Sequence, residues 1–312
     1  MSTRGVVVLG MHRSGTSAVA RVVNLLGVPL LASDLLPADD ANPRGYWESE
    51  ALRHFDEELL EAVGGSWSLP PAAPDWSRAN GLRERARESF GEALEGEWVW
   101  KDPRASVTLP WWREAFGLDP AIVLVHRDPR EVASSLARRD GFPARRSFAL
   151  WERYVRAGLA AAAGLPAFVV GYSELLEDPE GCAGRLGEWL DGCGLSVTGA
   201  RPGAVAAFVD AGLHRSQAVD EPLSAEQETL RRLLSQLRGT HESLEPVELG
   251  PETPGVEELL VAEELAGLRS WGRTLEAERD DLLGSRSYRW TAPARRAAGA
   301  LLRLKTRSRA PG

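Results

Sequence analysis

The stretch from Val6 to Ser17, VVVLGMHRSGTS, is a β-branched run that breaks at Gly10 into a turn rich in glycine and hydroxyls. An amphipathic segment, Ala18 to Leu26, follows at once. A buried strand that stops in such a turn and restarts as a helix leaves several backbone N–H groups unpaired and aimed at one point. The positive end of the helix dipole adds to them, and the result is a cradle for an anion. Gly10 and Gly15 let the backbone approach a ligand, Ser14, Thr16 and Ser17 offer hydroxyls, and Arg13 supplies a full charge. The chain is therefore expected to begin with a phosphate or sulfate site.

The loop differs from a Walker A loop, GxxxxGK[ST], in which Lys clamps the β- and γ-phosphates. Gly10, Gly15 and Ser17 keep that spacing, but Thr16 stands in the Lys position and the cation has moved upstream to Arg13. A P-loop small-molecule kinase, the first alternative, loses its main clamp by this change.

Three further β-like runs follow, Trp98–Trp100, Ala121–His126 and Ala167–Gly171. Each is short and apolar without strict alternation, as for strands buried on both faces of a parallel sheet. Helical patterns separate the runs, at Glu48–Val63, Leu82–Leu94, Arg130–Arg138, Phe148–Ala163 and Pro179–Leu190. The alternation predicts a three-layer α/β/α fold with a central parallel sheet, similar to P-loop NTPases. Ligands in such folds gather at the carboxyl ends of strands. Lys101-Asp102-Pro103-Arg104, Arg127-Asp128-Pro129-Arg130 and Tyr172-Ser173-Glu174 follow the later runs, so cations collect at one sheet edge. Arg127 paired simply with Asp128 is the plainer alternative.

The length of 312 residues and the 43% hydrophobic content allow a large α/β domain plus an appendage. We expect a domain at 1–238, a linker at 239–255 where Pro, Gly and Glu dominate, and a helical extension at 256–312. Residues 256–283 are charged and leucine-bearing, suited to pairing with a second copy. Residues 285–312 hold eight Arg or Lys and no acid, so the body is more acidic than the net charge of −8 shows. That balance disfavours nucleic acid as a partner. With interfacial aromatics, the tail suits peripheral contact with an anionic membrane face. No run of 18 apolar residues, no secretory signal and only two cysteines point to a cytoplasmic setting. The five histidines show no metal spacing.

Together, HRSGTS after the first strand and RDPREVASS after a later one resemble the two cofactor motifs of the sulfotransferases, enzymes that use 3′-phosphoadenosine 5′-phosphosulfate (PAPS) and release PAP. The likeness spans roughly residues 5–235 and is closest to a bacterial branch marked by GMHRSGTS, NPRGYWE and KDPR. It implies that His12, Arg13, Ser14, Gly15, Thr16 and Ser17 grip the 5′-phosphosulfate. Arg127 and, eight residues on, Ser135 would meet the 3′-phosphate, and Tyr172 in YSELLEDP the adenine.

Sulfuryl transfer rests on positioning and charge, and needs no metal if cationic side chains neutralise the leaving phosphate. Arg13 leads for that role and Lys101 for contact with the transferring group. An acceptor hydroxyl or amine also needs a base. Cytosolic sulfotransferases carry a His two residues after the equivalent Lys, where this chain has Pro103. Glu48 is the expected base, His12 the reserve, and Asp102 a third choice better suited to orienting Arg104 or Lys101. The family's C-terminal RKG-like loop is absent, and His214-Arg215-Ser216 is a candidate replacement. SRSYRWTAPAR resembles C-terminal segments of bacterial cell-surface glycan glycosyltransferases, which implies a glycan or glycolipid acceptor. A non-catalytic nucleotide-binding subunit of a glycan-assembly system is the second alternative.

Overall fold

The computed structural model describes residues 4–31, 33–40, 42–209, 217–285 and 290–291. The chain divides into two compact units, Met1–Leu260 and Val261–Gly312. The first is built on strands β1 (Arg4–Leu9), β2 (Glu97–Lys101), β3 (Ala121–His126), β4 (Ala167–Gly171) and β5 (Gly239–His241), in the order β2-β1-β3-β4-β5. The first four are parallel, and β5 joins the edge antiparallel to β4. The sheet is thus mixed rather than wholly parallel, because the edge of β4 is closed by a short strand from the segment expected to be a linker.

Side-chain alternation explains the layers. Val7 and Leu9 of β1 enter one core with Trp98, Trp100, Ile122, Leu124 and Val169, while Val6 and Val8 enter a second with Val99, Val123, Val125 and Val170. Strands clothed on both faces must be apolar throughout, which is why their sequences do not alternate.

On the second face lie α1 (Thr16–Leu25), α7 (Tyr172–Glu177), α8 (Pro179–Gly192) and α9 (Ala204–Phe208). The first face carries α2 (Glu50–Ala62), α3 (Arg83–Phe90), α4 (Ala105–Phe116), α5 (Pro129–Asp140), α6 (Ala144–Ala162) and α10 (Ala225–Gln236). Ser49 caps α2 by accepting from the Leu52 amide, so the helix begins after Glu48 and not with it.

Beyond β5, residues 244–257 are bound to the domain. Arg156 donates to the carbonyls of Gly250 and Pro251, and the Thr253 amide donates to Glu152. The compact unit accordingly runs to Leu260, past the boundary expected at 238. A last helix, α11 (Val256–Gly284), buries Val256 and Leu260 but exposes Leu268, Trp271, Leu275 and Leu282. Among the described residues no helix is long and apolar enough to cross a membrane. Most of the basic tail, and His214-Arg215-Ser216, lie outside the described residues.

Candidate active site

The loop between β1 and α1 is shaped by its glycines. Gly10 has φ +148°, and a Cβ there would come within 2.5 Å of the Val125 carbonyl oxygen as β1 passes β3. Gly15 has φ +94° and begins α1, and a Cβ there would lie 2.2 Å from the Tyr172 ring. Arg13, at φ 67°, adopts the left-handed conformation without being glycine, a strain tolerated where surroundings over-determine it. No side chain caps the N-terminus of α1 and no acid occupies its first turn, so its amide dipoles face the loop uncompensated.

A cavity of about 640 Å³ opens at this loop, lined in part by Arg13, Thr16, Ser17, Arg127, Ser135 and Tyr172. Arg13 Nε donates to Ser135 Oγ at 2.9 Å, and Arg127 Nη1 donates to the Arg13 carbonyl at 3.1 Å. The Arg127 guanidinium lies over the Tyr172 ring at 4.7 Å. Arg127 pairs with Glu131 at 2.7 Å and not with Asp128, which caps α5 instead. Two sequence motifs 114 residues apart therefore share one cavity. Gly15 also lines it, whereas Ser14 is buried and His12 faces elsewhere. Ser14 Oγ and Arg127 Nη2 are buried with no hydrogen-bond partner among the described residues.

A second cavity of about 250 Å³ adjoins the first, sharing Arg13, Thr16, Ser17 and Arg139 with it. Here Lys101 and Glu48 form a buried ion pair, and Lys101 Nζ also donates to Ser17 Oγ at 3.2 Å. Burial raises the Glu48 pKa, opposed by the Lys101 charge, and burial lowers that of Lys101, opposed by Glu48. Lys101 thus bridges the base expected for the acceptor and the loop expected for the donor.

His12 packs against Trp67 at 4.9 Å and edge-on to Tyr154 at 5.4 Å. Burial, then Arg104, Arg139, Lys101 and Arg13, holds its pKa well below the ordinary value, so it is neutral at pH 7. Asp102 takes the orienting part, accepting from Arg104 Nη1 at 3.0 Å, while Arg104 Nε donates to Glu57 at 2.7 Å.

Several site residues escape sequence reasoning. Arg138 and Arg139 line the larger cavity, and their signal was present: they fall three and four residues after Ser135 on α5, hence on its face. Asn42 is not among them, since it belongs to the motif NPRGYWE; it donates to Ser17 Oγ at 3.4 Å. Tyr154 has no local signal, because only packing brings it to His12. Among the described residues no cluster of three or more His, Cys, Asp and Glu is placed to hold a metal.

The sheet, the loop and the convergent arginines define a P-loop-like α/β fold with an anion-type cradle. Residues 5–195 match the sulfotransferase family, and the chain belongs to it. No curated protein matches the chain. Among solved structures it is similar to the sulfotransferase domain from the curacin biosynthetic pathway, at 15% identity over 75% of this chain and 99% of that one, with a TM-score of 0.43. It is also similar to the sulfotransferase domain of the Synechococcus PCC 7002 olefin synthase, at 16% identity over 75% and 95%, TM-score 0.40. Sulfotransferase STF1 from Mycobacterium tuberculosis H37Rv matches at 16% identity over 76% and 78%, TM-score 0.43.

Proposed function

We propose that the protein moves a sulfuryl group from PAPS to a hydroxyl or amine acceptor by in-line transfer. The observation that carries this reading is the convergence of Arg13 and Arg127 on one cavity, with the Lys101–Glu48 pair opening from its wall. The residues fit an anionic nucleotide. Ser14 Oγ and Arg127 Nη2 are buried without partners among the described residues, a costly state that a ligand oxygen would relieve.

PAPS, when bound, supplies the activated sulfuryl group. Arg13, the loop amides, Ser14, Thr16 and Ser17 would hold its 5′ end, Arg127 and Ser135 the 3′-phosphate, and Tyr172 the adenine. Arg13 and Lys101 stabilise negative charge on the leaving side. Glu48 receives the proton of the acceptor, and its raised pKa makes it a stronger base than an ordinary carboxylate. Neutral His12, in the same cavity, is the second group able to accept that proton. A glycan or glycolipid acceptor, peripheral membrane contact through 285–312, a cytoplasmic setting and pairing of copies through 256–283 belong to the same proposal. They rest on the likeness of SRSYRWTAPAR, the basic tail, the sparse cysteines and the apolar residues exposed on α11.

The test is thermal unfolding with PAP or ATP in the absence of magnesium. PAP should raise the Tm and ATP should not, and the shift should vanish in Arg127→Ala. Stabilisation by ATP but not PAP would overturn the assignment.

A further inference from the structure

The smaller cavity carries a charge that sulfuryl transfer does not use. Three of its cations are neutralised locally: Lys101 by Glu48, Arg139 by Asp140 at 2.7 Å, and Arg104 by Asp102 and Glu57. Arg13, on the wall shared with the nucleotide cavity, is committed to Ser135. Arg53, one turn into α2, differs. Among the described residues no carboxylate pairs with it, and its hydrogen bond is to the ring Nε2 of His54 at 3.0 Å. Its Nε is buried with no partner.

A buried guanidinium nitrogen without an acceptor is costly, and anionic oxygens are the groups its planar fork matches best. Arg53 lines the smaller cavity and not the larger, so its charge is presented to the acceptor side and not to the nucleotide. The lining as a whole carries more positive than negative groups: Arg13, Arg53, Lys101, Arg104 and Arg139 against the carboxylates of Glu48 and Asp140. A neutral acceptor would leave that charge unanswered. The cavity's size, about 250 Å³, suits one ring-sized group with its substituents.

We propose that the acceptor bears an anionic group of its own, a carboxylate or a phosphate, and that Arg53 binds it while the hydroxyl to be sulfated faces Glu48 and Lys101. This rests on the sulfotransferase reading of the site and narrows its substrate class to acidic acceptors. Within that reading Arg53 is a specificity-determining residue, outside the groups that hold the nucleotide.

The experiment compares two sugar pairs that differ at C6, one member of each being anionic: methyl glucuronide against methyl glucoside, and glucose 6-phosphate against glucose. Affinity for the full chain is measured by ligand-observed NMR, with and without PAP. In at least one pair the anionic sugar should bind about 10-fold or more tightly than its neutral partner, the discrimination a charge-assisted hydrogen bond gives. The favoured pair tells carboxylate from phosphate. Arg53→Gln should bring the anionic sugar down to its neutral partner, Arg53→Lys should restore part of the preference, and PAP affinity should be the same in all three proteins. Equal affinity within both pairs, absence of binding included, overturns the proposal, as does a preference that survives Arg53→Gln. Failure of the wild type to bind PAP would instead overturn the sulfotransferase reading, while the PAP-free comparison still decides the role of Arg53.

Discussion

Arg13 is the residue on which the loop after β1 and the segment after β3 meet, through its guanidinium on Ser135 and its carbonyl under Arg127. Truncation to Ala removes a preorganised cation, and the expected loss is on the order of 100-fold or more in transfer rate, about 3 kcal/mol. Transfer of radiolabelled sulfate, with circular dichroism to verify folding, checks it. In the proposed reaction Glu48 sets the pH profile. Burial raises its pKa, so the rate should fall with decreasing pH through a limb lying above the ordinary carboxylate value of 4.5. A pH–rate profile of Glu48→Gln should lack that limb; a limb that persists would move the base to His12. Away from the site, burial and then Arg238 press the His126 pKa down to about 4. The folded state resists its protonation while the unfolded chain accepts it from about pH 6.5 downward, so this residue favours unfolding progressively between those values. The loss is about 3 kcal/mol across the whole window. Unfolding midpoints at pH 7.5 and 5 should therefore differ less in His126→Asn than in the wild type.

Among the elements, α6 holds the loop that brings Trp67 to the smaller cavity. Tyr154 donates to the Trp67 carbonyl at 2.9 Å, and Arg153 Nη1 to the Pro70 carbonyl at 2.9 Å. Arg153 is itself neutralised by Glu252 and Glu257. The Arg153 side chain is 3% exposed, Glu252 26% and Glu257 59%. Removing both carboxylates strands a buried charge, and Glu252→Gln/Glu257→Gln should cost roughly 3 kcal/mol in urea unfolding. Glu257→Gln alone should cost about 1 kcal/mol or less, because an exposed partner is screened by water. Elements also differ in how far the sequence shows them. The four parallel strands and α1, α5, α6 and α8 are readable from apolar runs and helical spacing. Helix α4 is not: ASVTLPWWREAF carries Pro110, β-branched residues and adjacent tryptophans, all poor in helices. Burial of Leu109, Trp111 and Trp112 in the core overrides that propensity. Helix α10 did carry a signal, the Ser224 and Gln227 capping box. Strand β5 carries none, since three residues at a sheet edge have no periodicity.

For the whole molecule, the boundary between the units falls within α11, after Leu260. Everything that lines either cavity precedes it. Truncation after Leu260 keeps Val256 and Leu260 in the core, so PAP affinity should not change. It removes Leu268, Leu275 and Leu282, exposed at seven-residue intervals, and sedimentation velocity should show self-association of the full chain lost in the truncated one. A truncated protein that no longer binds PAP would place the second unit in the binding machinery.

Local chemistry alone determined the anion loop, the parallel strands and the cations behind them. A strand that halts at Gly10 before a helix, and the spacing from Arg127 to Ser135, are written within a few residues of chain. Packing decided what no short window contains: the pairing of Glu48 with Lys101, the setting of Trp67 and Tyr154 around His12, and the anchoring of Glu252 and Glu257 on Arg153. Those partners are brought together by burial in a common core, and the free energy that selects them depends on surroundings contributed by the entire domain.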